Sequence, residues 1–224
     1  MSFGTVAMSY MSVMAPPTTW HRLKTVLTTS VTSVTVTFDE PAALGNTHTL
    51  FAVVMFDDPV TSISSTNWGT TMLDGSGNNG AALSLVAYAL QGDSTTNSFT
   101  INFSATQVYL KVILMAFGGY GALPTQGSPA FASSVTTATA GPVSATADTN
   151  TIAIAAVGLI GQSNGWLTGW DNGFTNVPGD SNIDRVSVGV QAFTSSGQTP
   201  SSTRTWTSAR NARSMMWIIQ GTAG

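Results

Sequence analysis

Three aromatic rings in a glycine- and asparagine-rich stretch are the side chains of this sequence best suited to meet a ligand. Trp166, Trp170 and Phe174 recur every four positions within Gly165-Trp166-Leu167-Thr168-Gly169-Trp170-Asp171-Asn172-Gly173-Phe174. Flat rings beside Asn and Asp suit stacking on the apolar faces of sugar rings, with the polar side chains meeting hydroxyls. The same rings would also serve to cap one end of an apolar interior, a structural role that Trp68 would then share. A second group is basic. Arg204, Arg210 and Arg213 are three of the seven positive charges and surround Trp206. On a strand, Arg204 would face opposite to Thr203 and Thr205 and point outward. It could then meet an acidic loop of a neighbouring subunit, such as Asp57-Asp58, or carry ordinary solvated charge.

Other reactive types are scarce. The two histidines, His21 and His48, lie near no nucleophile-elbow sequence, and a hydrolytic triad needs an orienting carboxylate and an activated hydroxyl as well. Asp57-Asp58 precedes Pro59 and reads as the turn that ends a strand. Asp180, Asn182 and Asp184 alternate as in the first half of a calcium loop, but Arg185 stands where that loop needs Gly and Gln191 where it needs Glu. With no Cys there is no thiolate metal site and no cysteine nucleophile. The expectation is a protein without catalytic residues, metal or cofactor.

Composition narrows the class. The 224 residues, 23.2 kDa, suit one large all-β domain. Charged residues make up 8%, against roughly 25% in an average globular protein. Ser, Thr, Asn and Gly supply the polarity, so few charges guard strand edges, as befits a subunit of an assembly. A net charge of −3 and a pI near 5.0 offer no basic field for a phosphate backbone, which argues against nucleic acid. Residues 1–17 lack an early positive charge and are broken by Ser, so no signal peptide is expected. The apolar run from Val108 to Phe117 is interrupted by Lys111 and is too short to cross a bilayer as a helix, so no membrane insertion is expected.

The elements that must position these residues are strands. Val34, Val36 and Phe38 alternate with Thr35 and Thr37. Leu50–Phe56, Leu83–Leu90, Val108–Phe117 and Thr151–Ile160 are short apolar runs bounded by turn residues, the pattern of buried strands. Phe99, Ile101 and Phe103 alternate with polar residues, and Val186–Phe193, Thr203–Thr207 and Met215–Ile219 complete a set of about nine strands. No stretch has a helical stripe with caps at both ends. Gly118 to Pro142 and Gly161 to Asp184 read as long loops. Residues 1–30 read as an N-terminal arm or first strand, and 31–224 as a single domain.

The domain carries an internal echo. A shift of 102 residues takes Thr47 to Thr149, Leu50 to Ile152, Trp68 to Trp170, Val86 to Val188 and Tyr88 to Val190, and a shift of 103 takes Phe103 to Trp206. This predicts an antiparallel, jelly-roll-like β-sandwich with two pseudo-repeated halves, at about residues 31–120 and 143–224, each giving one side of the sandwich.

An Asn46-Thr47-His48-Thr49-Leu50 opening to an apolar strand, a later Trp68, and the Thr205-Trp206-Thr207-Ser208 turn before Met215-Met216-Trp217-Ile218-Ile219 resemble β-sandwich virion proteins of tailed bacteriophages, the minor tail and decoration proteins. The resemblance spans roughly residues 30 to 220. It implies a non-enzymatic minor tail protein that assembles with itself and with other virion proteins, made in the host cytoplasm and carried on the particle. A capsid decoration protein and a carbohydrate-binding module for a host-surface glycan are the alternatives.

Overall fold

The computed structural model describes residues 22–39, 48–57, 62–68, 70–72, 84–93, 96–118, 124–143, 147, 150–161, 165–167, 169–177 and 185–221. They form fourteen strands and, among the described residues, no helix. The first half contributes β1 (Arg22–Thr28), β2 (Val31–Thr37), β3 (His48–Phe56), β4 (Ile63–Ser65), β5 (Thr70–Met72), β6 (Ser84–Asp93), β7 (Ser98–Gln107) and β8 (Leu110–Gly118). The second contributes β9 (Thr125–Gln126), β10 (Ala130–Ala140), β11 (Thr151–Leu159), β12 (Thr175–Asn176), β13 (Val186–Phe193) and β14 (Ser202–Gln220).

Every pairing is antiparallel. In the first half one sheet has the order β1-β8-β3-β6-β5 and a second has β2-β7-β4. First strand beside last, and second beside second-to-last, is the order of a jelly roll. The second half repeats it as β10-β14-β11-β13-β12. There the 19-residue β14 does the work of β7 and β8 together. Its C-terminal part pairs with β11, and its N-terminal part pairs with the end of β10 as an outer ribbon. The bridge between Trp166 and Trp206 adds a third chain to that ribbon, as β4 does beside β7.

The sheets built on β3 and β11 face one another. Phe51, Val53, Leu85, Ile113 and Met115 from one side meet Ile152, Ile154, Val188, Trp217 and Ile219 from the other in one continuous core. Phe51 meets Trp217 edge-on, with ring centroids 5.4 Å apart. Each facing sheet is covered on its other side too. Leu50, Val54, Tyr88 and Leu114 pack under the β2-β7-β4 layer. Ala153, Ala155, Met216 and Ile218 pack under the outer ribbon and the loop that carries Trp170. This is why β3, β8 and β11 are apolar at nearly every position while β7 alternates. A strand buried on both faces has no solvent side to keep polar. The antiparallel sandwich made from two related halves is therefore present, and each half adds an outer layer of its own.

The repeat has a different phase from the one the residue matches suggest. Leu50, Val86 and Tyr88 point into the first half's flanking core, whereas Ile152, Val188 and Val190 point into the central one. Since strand side chains alternate, a one-residue error in alignment swaps the faces. The residues that share an environment are Phe51 with Ile154, Ala87 with Val188, and Met115 with Trp217. Phe103 and Trp206 do occupy matching places, each beneath its outer layer. The ladders supply further equivalences. Thr35 and Thr100 touch through their hydroxyls at 2.9 Å, and Thr139 and Thr203 do the same at 2.9 Å. The Thr100 N–H donates to Asn67 Oδ1 at 3.0 Å and the Thr203 N–H to Asp171 Oδ1 at 2.6 Å.

One expectation about boundaries narrows and another changes. Of residues 1–30, expected as an arm or first strand, 22–28 form β1, paired along its length with β8, and residues 1–21 lie outside the described residues. The expected linker between Gly118 and Pro142 contains β9 and β10, the second half's counterpart of β1 and β2. Ser30 and Ser134 mark the correspondence, with φ of 58° and 54° at the bend in each. β10 is mostly Ala, Ser and Thr because it is an edge strand with little apolar surface to cover, so hydrophobic patterning does not reveal it.

Candidate functional site

The aromatic loop lies across the outside of the second half's facing sheet. Trp170 and Phe174 are 7% and 6% exposed, with centroids 6.5 Å apart. Trp170 lies on β13 where Gly189 leaves room: a Cβ there would sit 2.6 Å from Trp170 Cδ1. The two rings thus belong to the core and present no stacking face, which corrects their reading as a sugar platform. The reason is the missing side chain at Gly189, which lets the indole settle on the strand. Trp166 is half-buried. Its ring stands edge-on to Trp206 at 5.9 Å, with the Arg204 guanidinium 5.1 Å from its centroid.

The arginines do not form an outward patch. Arg204 is 3% exposed and Arg213 6%, the latter with its guanidinium 5.6 Å from the Phe131 ring centroid. Along the start of β14, Ser202, Arg204 and Trp206 are the inward set and Thr203 and Thr205 the more exposed one. Arg204 opposes Ala138 just as Ile101 opposes Val34 in the first half. Only Arg210 is partly exposed, and its Nη1 donates to the Ala209 carbonyl at 3.1 Å.

Asp57 is engaged within the chain. Its Oδ1 accepts the Tyr109 N–H at 2.8 Å, and its Oδ2 lies 2.5 Å from Arg185 Nη1. The Arg185 backbone N–H donates to the Tyr109 hydroxyl at 3.2 Å, and its guanidinium stands 4.5 Å from that ring's centroid. This cluster ties the end of β3 to the start of β13 across the central core, so Asp57 does not await a neighbour's arginine. His21, Asp58 and residues 180–184 lie outside the described residues. His48 opens β3, and its side chain is outside them too. Among the described residues no three of His, Cys, Asp and Glu gather where they could hold a metal ion.

What the loop does build is a polar recess. Asp171-Asn172-Gly173-Phe174 is a tight turn, with positive φ at Asn172 (53°) and Gly173 (83°) and the Phe174 N–H on the Asp171 carbonyl at 3.2 Å. Asn-Gly is the pair such a type I′ turn favours. The Asn172 side chain donates to the Ser201 carbonyl at 3.0 Å, docking the turn on the β13–β14 connection. The Asp171 carboxylate is taken up by the Ser202 hydroxyl at 2.9 Å and the Thr203 N–H. Between these segments lies a cavity of about 200 Å³, with Asn172, Gln191, Gln198 and Ser201 on its walls and Phe193 and Pro200 beneath. Thr199 also borders a larger cleft of about 570 Å³ that includes Gln126, Pro129 and Pro142. Gln191 and Gln198 were missed in the sequence as ligand groups because Gln is an ordinary surface residue. The only hint was Gln191 and Gln198 flanking a Ser-, Gly- and Pro-rich turn.

The chain matches no known family, no curated protein and no solved structure.

Proposed function

We propose that this chain is a non-enzymatic structural component of a tailed-phage virion, a minor tail protein that assembles with copies of itself and with other virion proteins. The observation that carries the reading is the undefended edge. β2 (VTSVTVT) and β10 (AFASSVTTATA) are long edge strands with neither charge nor Pro, whereas among the other described strands that bound the sheets β4, β5 and β12 are only two or three residues long and β1 carries Arg22 and Lys24. A free monomer normally protects such edges with Lys, Pro or short length. A subunit whose edges are covered by neighbours has no such need. Two jelly rolls packed back to back also suit a load-bearing particle component, an architecture common in viral coats and lectins.

The test is to purify particles of a phage that encodes this chain, identify their proteins by mass spectrometry, and place the chain by cryo-electron microscopy. The expected result is stoichiometric density at the tail, arranged by a closed symmetry. Its absence from particles that form and infect normally would refute the proposal.

A further inference from the structure

We infer that the two recesses joined at Thr199 form a binding site for a neutral oligosaccharide. The inference is independent of the virion reading, since it rests on the chemistry of one end of the second half. Three amides converge there from separate segments: Asn172 from the tight turn, Gln191 from β13 and Gln198 from the β13–β14 connection. A carboxamide offers both donors and acceptors, so it can meet two adjacent hydroxyls of a sugar at once. One of the amides, Asn172, is held in place by the Ser201 carbonyl. Such anchoring lowers the entropy lost on binding.

Pro129 and Pro142, both exposed on the larger recess, supply flat apolar surface for the C–H faces of the rings, while the smaller recess, over the buried Phe193 and Pro200, offers polar contacts. The larger cleft alone, at about 570 Å³, falls within the range of roughly 300–1,000 Å³ usual for small-ligand sites. Charge selects the class. Among the described residues no charged side chain lines either recess, and the adjacent Asp171 carboxylate is already bonded to Ser202 and Thr203. Phosphorylated, sialylated or sulfated ligands would find no counter-charge. This places sugar recognition beside the aromatic loop, not on Trp170 or Phe174, whose rings are buried.

The experiment is an NMR titration of the full chain with maltotriose, cellotriose, mannotriose and chitotriose, with sialyllactose as the charged control. At least one neutral trisaccharide should shift the side-chain amide signals of Asn172, Gln191 and Gln198 in a saturable way, and sialyllactose should not. Gln191→Ala and Gln198→Ala should each weaken binding by about tenfold or more. Thr199→Arg, at an exposed position between the recesses, should block it with the melting temperature unchanged. It stands as the decisive variant if Gln191→Ala, within β13, fails to fold. The inference is overturned if no neutral trisaccharide binds at about 10 mM, if the shifts centre on Trp166, or if Thr199→Arg binds as well as the parent.

Discussion

Gly189 and Trp170 show how much hangs on a single missing side chain. The indole covers β13 only because position 189 has no Cβ; one added there would meet the ring at 2.6–2.9 Å. Gly189→Ala should therefore lower stability by about 1–3 kcal/mol through overpacking, read as an earlier urea midpoint with unchanged slope. Trp170→Ala should cost about 3–5 kcal/mol, as for other buried large aromatics. A Trp170→Ala protein with unchanged stability would show the ring to be a surface group after all. The sequence conveys that Trp166, Trp170 and Phe174 belong together in a turn-rich loop, but not which way they face. That depends on a glycine in a different strand. Arg204 teaches the same lesson. Alternation places it opposite to Thr203 and Thr205, as expected, but the threonines hold the more exposed face and the arginine goes inside.

Strands with strong apolar patterns were readable, the edge strand β2 among them, and edge strands without such a pattern were not. β3, β6, β8, β11 and β13 follow runs visible in the sequence because both of their faces are covered. β10 reads as linker because an edge strand of Thr, Ser and Ala buries little, while β1 (RLKTVLT) falls in the stretch that reads as arm or first strand. A sharper signal was present in Thr29-Ser30-Val31-Thr32 against Ser133-Ser134-Val135-Thr136, where both serines have the same left-handed backbone. The edges also carry the test of assembly. Thr32→Lys in β2 and Thr136→Lys in β10 change exposed positions and should leave the fold intact. Each should shift the chain toward monomer in light scattering at matched concentration, as charged edges disfavour strand addition. If both variants associate as the parent does, these edges are not the contacts. Between elements, Asp57 links β3 to Arg185 and to Tyr109, and its side chain is only 17% exposed. Asp57→Ala should cost about 1–3 kcal/mol, because the Tyr109 N–H and the Arg185 guanidinium both lose an acceptor. Denaturation of Asp57→Ala, Arg185→Ala and the double variant should show a non-additive pair.

The whole molecule is held by the apolar seam between its halves. Among the described residues, Phe51, Ile113 and Met115 on one side and Ile154, Trp217 and Ile219 on the other join the two jelly rolls in one continuous apolar core. Calorimetry should record one transition for the full chain. Phe51→Ala should lower its midpoint by an amount equivalent to about 3–5 kcal/mol without splitting it into two; a split would show that the halves melt separately. The doubled architecture was legible in the sequence through Phe103 and Trp206, while its phase was not, because both faces of β3 and β11 are apolar and residue type does not distinguish them.

Unlike the first half, where β7 ends before Tyr109 and β8 begins after it, the second half has one uninterrupted β14 running through its outer ribbon and its inner sheet. Tension applied at the C-terminus would pass straight along that strand into both layers at once. Hydrogen-bond ladders on either side would then resist in shear instead of opening one rung at a time. In a pulling experiment the second jelly roll should rupture at the higher force, and the corner at residues 108–109 is where the first should begin to give way.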